Sequence, residues 1–170
     1  MDKKLRDFIH LKRKEIESLL KETFLIVFLM GAGNKGLEER RRIKRKLEEN
    51  GILAIIAEDD LPKDLSPSLS EEYILKNSEV ELAFINVESW GSVAEFSQYH
   101  RDRRIALKLR VLVRGKYHPL YGDEKGYLTD LYLTHLAVYG HVYAYEGKFP
   151  SCENIIMKLA TRYRQWKTFR

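Results

Sequence analysis

A run of seven consecutive apolar residues, Phe24 to Met30, constrains the fold more than any other feature of this sequence. A strand without a polar side chain is typical of a parallel sheet that helices cover on both faces. Three more apolar runs predict buried strands, and a fifth segment alternates like an edge strand. These segments are residues 52–57, 80–87 and 109–113, and residues 141–145 for the edge strand.

Helical patterns separate the predicted strands. They cover residues 37–50, 68–78, 91–107, a segment through Leu128 and Val138, and residues 151–169. Because strand and helix alternate five times, we expect one parallel sheet covered on both faces. Five strands suit the flavodoxin-like order 2-1-3-4-5. The predicted fold is therefore an α/β three-layer sandwich, which is a Rossmann-like architecture.

The segment before the first strand predicts an added N-terminal helix. Residues 3–22 carry apolar side chains at helical spacing among many charges. We expect this helix to cover a sheet edge or to form an oligomer contact. At 170 residues, the chain is predicted to form a single domain over 1–170, with the helix in 1–22 and the α/β core in 23–170.

Composition indicates a soluble, cytoplasmic protein. The hydrophobic fraction is 44%, and no apolar run approaches the roughly 18 residues that a membrane span needs. The single cysteine, Cys152, excludes an internal disulfide and fits a reducing cytosol. We therefore expect no membrane partner. Abundant Lys, Arg and Glu with only two Gln also resembles the composition of thermophile proteins.

A modest basic excess raises the question of nucleic-acid binding. The net charge is +5, and much of it lies in residues 40–46 and 162–170. A basic patch for nucleic acid is one interpretation. The favoured alternative is a solvated helix face, because glutamates flank residues 40–46 at spacings that allow helical ion pairs. We therefore do not expect nucleic acid as a partner.

The first of two candidate site loops is Gly31-Ala32-Gly33-Asn34-Lys35-Gly36, which matches G-x-G-x-x-G between a strand and a helix. Glycines let the backbone approach a phosphate, and a helix N-terminus supplies free N–H groups. Gly31, Gly33, Asn34 and Gly36 are thus candidate ligand contacts. Glu58, after the second strand, stands where a dinucleotide fold places its ribose-binding acid. A tight turn without a ligand is the alternative, as is a nicotinamide cofactor.

The second loop follows the third strand and runs from Val87 to Glu95. Its candidate ligand contacts are Glu88, Gly91 and Ser92. In the order 2-1-3-4-5 the switch point lies between the first and third strands, so both loops are expected at one site. The alternative is structural, since Ser92-x-x-Glu95 is also the signature of a capping box. Ser68-x-x-Glu71 has the same form and predicts a capping box for the preceding helix.

The carboxylates near this crevice suggest chemistry at a sugar. Glu95 is the candidate nucleophile or acid/base group, since a carboxylate attacks an anomeric carbon through a cationic transition state that it stabilises. Asp59 and Asp60 are candidate catalytic partners, as is Glu88. Crowded carboxylates would raise one pKa and place an acid beside a base. The histidines show no metal-ligand spacing, so we expect no metal and no cofactor.

The segment Gly91-Ser92-Val93-Ala94-Glu95 looks like the Gly-[Ser/Thr]-x-x-Glu element of nucleoside 2-deoxyribosyltransferases. The chain also resembles the related nucleotide-binding SLOG and TIR-like groups, and the likeness covers residues 24–115. The resemblance implies that Glu95 is the nucleophile that takes the deoxyribosyl group. After this glutamate the family usually has Gly and Ala, whereas here Ser97 and Tyr99 follow.

Three functional hypotheses follow from the sequence. The leading one is an enzyme that binds a nucleoside, nucleotide or sugar phosphate and cleaves or transfers at its N-glycosidic bond. The second is a non-catalytic nucleotide sensor of the SLOG type that signals through oligomerisation. The third is an NAD(P)-binding Rossmann protein with Glu58 on the ribose. We also expect a homo-oligomer.

Overall fold

The computed structural model describes residues 2–31 and 33–170, and it confirms the α/β fold. A five-stranded parallel sheet has the order β2-β1-β3-β4-β5. The strands are β1 (Ile26–Gly31), β2 (Leu53–Ile55), β3 (Val80–Asn86), β4 (Leu109–Arg114) and β5 (Val142–Tyr145). The helices are α1 (Lys3–Glu22), α2 (Gly33–Glu49), α3 (Ala57–Asp60), α4 (Pro67–Leu75), α5 (Trp90–Tyr99), α6 (Arg103–Ala106), α7 (Tyr127–Tyr139) and α8 (Cys152–Thr168), with a 3-10 turn at Gly115–Tyr117.

Two apolar layers hold the sheet between its helices. Ile43 and Leu47 of α2 and Ile156 of α8 are buried on one face. On the other face, Phe96 of α5 and Tyr132 of α7 are among the buried residues. The sequence predicts two such layers. Because successive strand residues point to opposite faces, an uninterrupted apolar strand contributes side chains to both.

The register of the central strands brings the two predicted loops together. Gly31, the last residue of β1, pairs with Asn86, the last residue of β3. The loop that follows β1 and the loop that follows β3 therefore leave the same edge of the sheet at the same height. β2 lies on the other side of β1, so the segment that begins at Ala57 joins this edge.

Two elements differ from the prediction. The helix expected over residues 91–107 is divided, because α5 ends at Tyr99 and α6 starts after Asp102, whose side chain accepts a hydrogen bond from the Arg104 N–H. The second strand is short and gives way to α3 at Ala57. The short strand brings Glu58 onto a helix at the sheet edge.

Helix α1 precedes the sheet, as predicted, and touches the rest of the chain near its C-terminal end. The Arg164 guanidinium donates hydrogen bonds to the carbonyls of Leu20 and Thr23, at 2.6 and 3.1 Å. None of the side chains of α1 is buried. Of the helices in the described part of the chain, none combines the length and the apolar character needed to cross a membrane.

Candidate functional site

Glu95 does not cap its own helix. Helix α5 begins at Trp90 with Ser89 as its N-cap, and the capping box joins Ser89 to Ser92. The Ser89 hydroxyl accepts a hydrogen bond from the Ser92 N–H, and the Ser92 hydroxyl accepts one from the Ser89 N–H at 2.9 Å. The Ser92-x-x-Glu95 capping box is therefore wrong as a prediction. Because the N-cap is Ser89, three residues before Ser92, Glu95 lies one turn inside the helix. Its carboxylate takes no part in the cap.

The second Ser-x-x-Glu segment differs from its prediction in the same way. Helix α4 begins at Pro67 after Ser66, so the predicted capping box of Ser68 and Glu71 is also wrong. Glu71 lies inside the helix and is only 8% exposed. Its carboxylate accepts a hydrogen bond from the Tyr99 hydroxyl at 3.1 Å. Tyr99 thus holds a second glutamate in place.

The two glutamates line one cavity, which we call the Glu95 cavity. Its volume is about 370 Å³, and it lies between α3, α4 and α5. This volume falls within the range of small-molecule sites. Its lining includes Glu58, Pro62, Lys63, Ser70, Glu71 and Glu95.

The environment of Glu95 favours its neutral form. Burial raises the pKa of the Glu95 carboxyl from 4.5 to about 7, and the charge of Glu71 adds to this effect. No described residue gives a hydrogen bond to the buried Oε2 atom of Glu95. Burial also raises the pKa of Glu71, although the Tyr99 hydroxyl opposes that shift. The cavity therefore holds a carboxyl group that exchanges its proton near neutral pH.

Arg40 is a nearly buried cation of helix α2 whose charge acts on Glu95. It is 6% exposed, and both of its terminal nitrogens donate to Glu58, at 3.0 and 2.9 Å. Its Nε also donates to the Gly36 carbonyl, at 3.3 Å. The positive charge of Arg40 lowers the pKa of Glu95, against the larger effect of burial. Sequence reasoning missed this residue because it lies within the basic run interpreted as a solvated face.

Asp59 and Asp60 pair with basic side chains of helix α2. Asp59 accepts two hydrogen bonds from Arg41, at 2.7 and 2.8 Å, which hold the pKa of its carboxyl below the usual range. Asp60 pairs with Lys44 at 2.6 Å and accepts a hydrogen bond from the Ile56 N–H. The structure does not bring these two aspartates into the lining of the Glu95 cavity.

The glycine loop starts the helix earlier than expected. Helix α2 begins at Gly33, so Asn34 and Gly36 lie in its first turn, whereas Ala32 lies outside the described residues. Gly33 has a φ of +39°, a conformation that favours glycine. At Gly31 a Cβ atom would lie 3.3 Å from the Asn86 carbonyl oxygen, so the close approach of β1 and β3 favours glycine there too.

The space beneath the glycine loop is too small for a phosphate. A cavity of about 20 Å³ there is lined by Gly31, Gly36, Arg40 and Asn86, among others. This volume admits about one water molecule. Within the described chain, the Oδ1 atom of Asn86 is buried without a hydrogen-bond partner.

Glu88 belongs to a different cavity, which we call the Glu88 cavity. It has a volume of about 460 Å³ and includes Glu88, Trp90, Arg114, Lys116, Tyr117 and Tyr132 in its lining. The Tyr145 hydroxyl donates a hydrogen bond to Glu88. Arg114 lies 3.5 Å from the same carboxylate oxygen. Gly91 is exposed between the two regions, and its neighbour Trp90 is 91% exposed.

The predicted site residues thus divide into two groups. Glu58 and Glu95 both line the Glu95 cavity. Arg40 links Glu58 to the glycine loop, because it also donates to the Gly36 carbonyl. Glu88 lies in the neighbouring cavity, and Ser92 holds the helix cap between the two. Neither a protein-family model nor a curated protein matches this sequence at a significant level.

Proposed function

We propose that the protein binds a nucleoside or nucleotide beyond the carboxyl ends of β1, β2 and β3 and cleaves or transfers at its N-glycosidic bond. The observation that carries this proposal is the Glu95 carboxyl. It lines a ligand-sized cavity, its Oε2 atom has no hydrogen-bond partner among the described residues, and its pKa is about 7. Strongly shifted carboxyls in clefts are typical of catalytic sites.

The sugar is expected in the Glu95 cavity, with its anomeric carbon beside Glu95. A phosphate on that sugar would meet the N–H groups that open α2 at Gly33, where the helix dipole favours an anion. Lys63, in the lining of the same cavity, adds a positive charge. This arrangement gives a nucleotide more contacts than a free nucleoside.

The proposed reaction begins with ionised Glu95. Its carboxylate attacks the anomeric carbon, and the electron pair of the C–N bond leaves with the base. The departing base takes its proton from water in the cavity, because Glu71 carries the negative charge that helps to raise the pKa of Glu95. Water or a second base then attacks the glycosyl ester and releases Glu95 as a carboxylate, and the proton of the attacking group returns to solvent. Because the nucleophile must be ionised, the rate should rise with pH through about 7.

The same geometry disfavours a dinucleotide. Both carboxylate oxygens of Glu58 already accept hydrogen bonds from Arg40. A ribose that used this glutamate would have to displace a nearly buried guanidinium. We therefore place the NAD(P)-binding hypothesis behind the other two.

A nucleotide-binding module without turnover is the second candidate. The Glu88 cavity favours it, because that cavity combines aromatic and basic side chains with a carboxylate that is already paired. Such a lining suits a base and an anion, while its carboxylate is already held by Tyr145 and Arg114.

The deciding experiment measures melting temperature and product formation together. Wild type and Glu95→Gln are tested against nucleosides, nucleoside monophosphates and dinucleotides, with chromatography for released base. Free base that forms with wild type and is lost in Glu95→Gln supports the proposal. Equal stabilisation of both proteins without released base would refute the enzyme and leave the binding module. A rate that falls with pH through about 7 would assign Glu95 as a general acid.

A further inference from the structure

Helix α1 carries an apolar face that the described chain leaves open. Its 20 residues span about 30 Å, and every side chain from residue 3 to residue 19 is exposed. Isolated helices of this size are only marginally stable in water, and packing of an amphipathic face normally stabilises them. An uncovered helix of this length therefore calls for a partner surface. The exposed apolar side chains are Leu5, Phe8, Ile9, Leu11, Ile16 and Leu19.

Most of these side chains lie on one stripe. At 100° per residue, Leu5, Phe8, Ile9, Ile16 and Leu19 fall within a sector of about 100°. Leu11 lies outside this stripe. Midway along the helix two ionic residues replace apolar ones, the first inside the sector of the stripe and the second about 20° beyond its edge. These residues are Lys12 and Glu15, whose Nζ and Oε2 atoms lie 2.7 Å apart in a half-exposed ion pair.

The charges along α1 are divided between its two halves. Residues 3–14 contain six Lys and Arg against one Asp, whereas residues 15–22 contain three Glu against one Lys. Two copies of α1 packed antiparallel would place each basic half against an acidic half. A parallel pair would instead place like charges together. An anionic membrane would attract the basic half and repel the acidic one.

We propose that α1 covers its stripe by pairing antiparallel with α1 of a second copy of this chain. A two-fold axis between Lys12 and Glu15 places Lys12 of each copy opposite Glu15 of the other. The same axis places Phe8 opposite Leu19 of the second copy. Each contact occurs twice, as a closed two-fold interface requires. The central ions then fix the register, as polar residues do in coiled coils.

Sedimentation equilibrium of the full chain at micromolar concentrations tests the interface. Wild type should be a dimer, and Phe8→Asp should be a monomer. Leu11→Asp is the matched control, since Leu11 is equally exposed but off the stripe, and it should stay dimeric. Circular dichroism melting checks that both variants fold. A monomeric wild type, or equal loss of the dimer in both variants, would overturn the proposal.

A charge exchange tests the antiparallel register itself. Lys12→Glu places two glutamates together at each contact, and Glu15→Lys places two lysines together, so each should weaken the dimer by at least about tenfold. The double variant restores opposite charges and should regain most of the wild-type affinity. If the double variant is as weak as the two single variants, the register is wrong. Binding of a monomeric wild type to phosphatidylserine vesicles would assign the stripe to a membrane instead.

Discussion

The Glu95 cavity and the Glu88 cavity are neighbours, but they give their carboxylates opposite environments. In each region a mostly buried tyrosine hydroxyl donates to a glutamate, Tyr99 to Glu71 and Tyr145 to Glu88. Glu88 is exposed and also has Arg114 nearby. Glu95, by contrast, shares its cavity with a second glutamate, and its Oε2 atom has no hydrogen-bond partner in the described chain.

The difference shows what makes a carboxylate available for chemistry. Glu88 and Glu95 belong to the same loop and helix start, separated only by the cap of Ser89 and Ser92. Glu88, which precedes the cap, is exposed to water and lies near Arg114, so its negative charge is compensated. The glutamate after the cap is carried into a poorly hydrated space beside a like charge, which disfavours ionisation. Reactivity is thus expected in the Glu95 cavity alone.

The largest expected effect concerns turnover. Glu95→Gln removes the proposed nucleophile and should lower kcat by at least about 1,000-fold, as removal of other nucleophiles does. Glu88→Gln keeps the shape of its side chain and should change kcat by less than about tenfold, because Glu88 only borders the site. Single-turnover assays with the substrate found in the panel measure both variants. A larger loss in Glu88→Gln would reverse the comparison of the two cavities.

The next effect concerns two adjacent arginines on α2. Arg40→Ala removes the nearly buried partner of the half-exposed Glu58 and should lower the free energy of unfolding by about 2.5 kcal/mol, through the lost charge-assisted hydrogen bonds. Arg41→Ala breaks the exposed pair with Asp59 and should lower it by less than about 1 kcal/mol. Urea denaturation at pH 7 measures the two values. Equal losses would show that Arg40 does not support the Glu95 cavity in particular.

Much of the fold was predictable because its signals are long and redundant. Each apolar run from Phe24 onward independently indicates a buried strand, and the order of five such strands has few alternatives. That the loops after the first and third strands meet follows from this strand order alone. The pairing of Gly31 with Asn86 confirms it.

The details of the site were not predictable because they depend on where a helix begins. Ser89 and Ser92 are both good N-cap residues, and only the true start at Trp90 frees Glu95 from the cap. The partner of Glu95 was missed for the same reason, since Glu71 was assigned to a capping box. The role of Arg40 depends on how α2 is oriented on the sheet, because this orientation buries its side chain. Charge composition does not determine that orientation.

A smaller effect is expected in the pH dependence of stability. The folded pKa of Glu95, about 7, exceeds its ordinary value of 4.5, so the folded protein holds this proton between those two pH values. Wild-type stability should therefore fall as the pH rises from 4.5 to 7 and then stay level. Glu95→Gln cannot ionise and should be more stable than wild type at pH 8, by on the order of 2 kcal/mol.

Melting of the two proteins from pH 4.5 to pH 8 measures this difference. The gain should shrink toward zero as the pH falls to 4.5 and below, where wild-type Glu95 becomes protonated in both the folded and the unfolded state. Glu88→Gln is the control from the other cavity, and it should show no such gain, because its charge is paired with Arg114. A constant gain of Glu95→Gln at every pH would contradict the shifted pKa.

The smallest effect separates the two tyrosines. Tyr99→Phe leaves the nearly buried Glu71 carboxylate without its donor, and it should lower the free energy of unfolding by about 2 kcal/mol at pH 8. Tyr145→Phe should lower it by about 1 kcal/mol or less, because exposed Glu88 regains a hydrogen bond from water. Since the Tyr99 hydroxyl lowers the pKa of Glu71 by stabilising its carboxylate, the loss caused by Tyr99→Phe should become smaller as the pH falls and Glu71 takes up a proton. Urea denaturation at pH 5 and pH 8 measures both variants. A larger loss in Tyr145→Phe would mean that Glu88, not Glu71, depends more on its tyrosine.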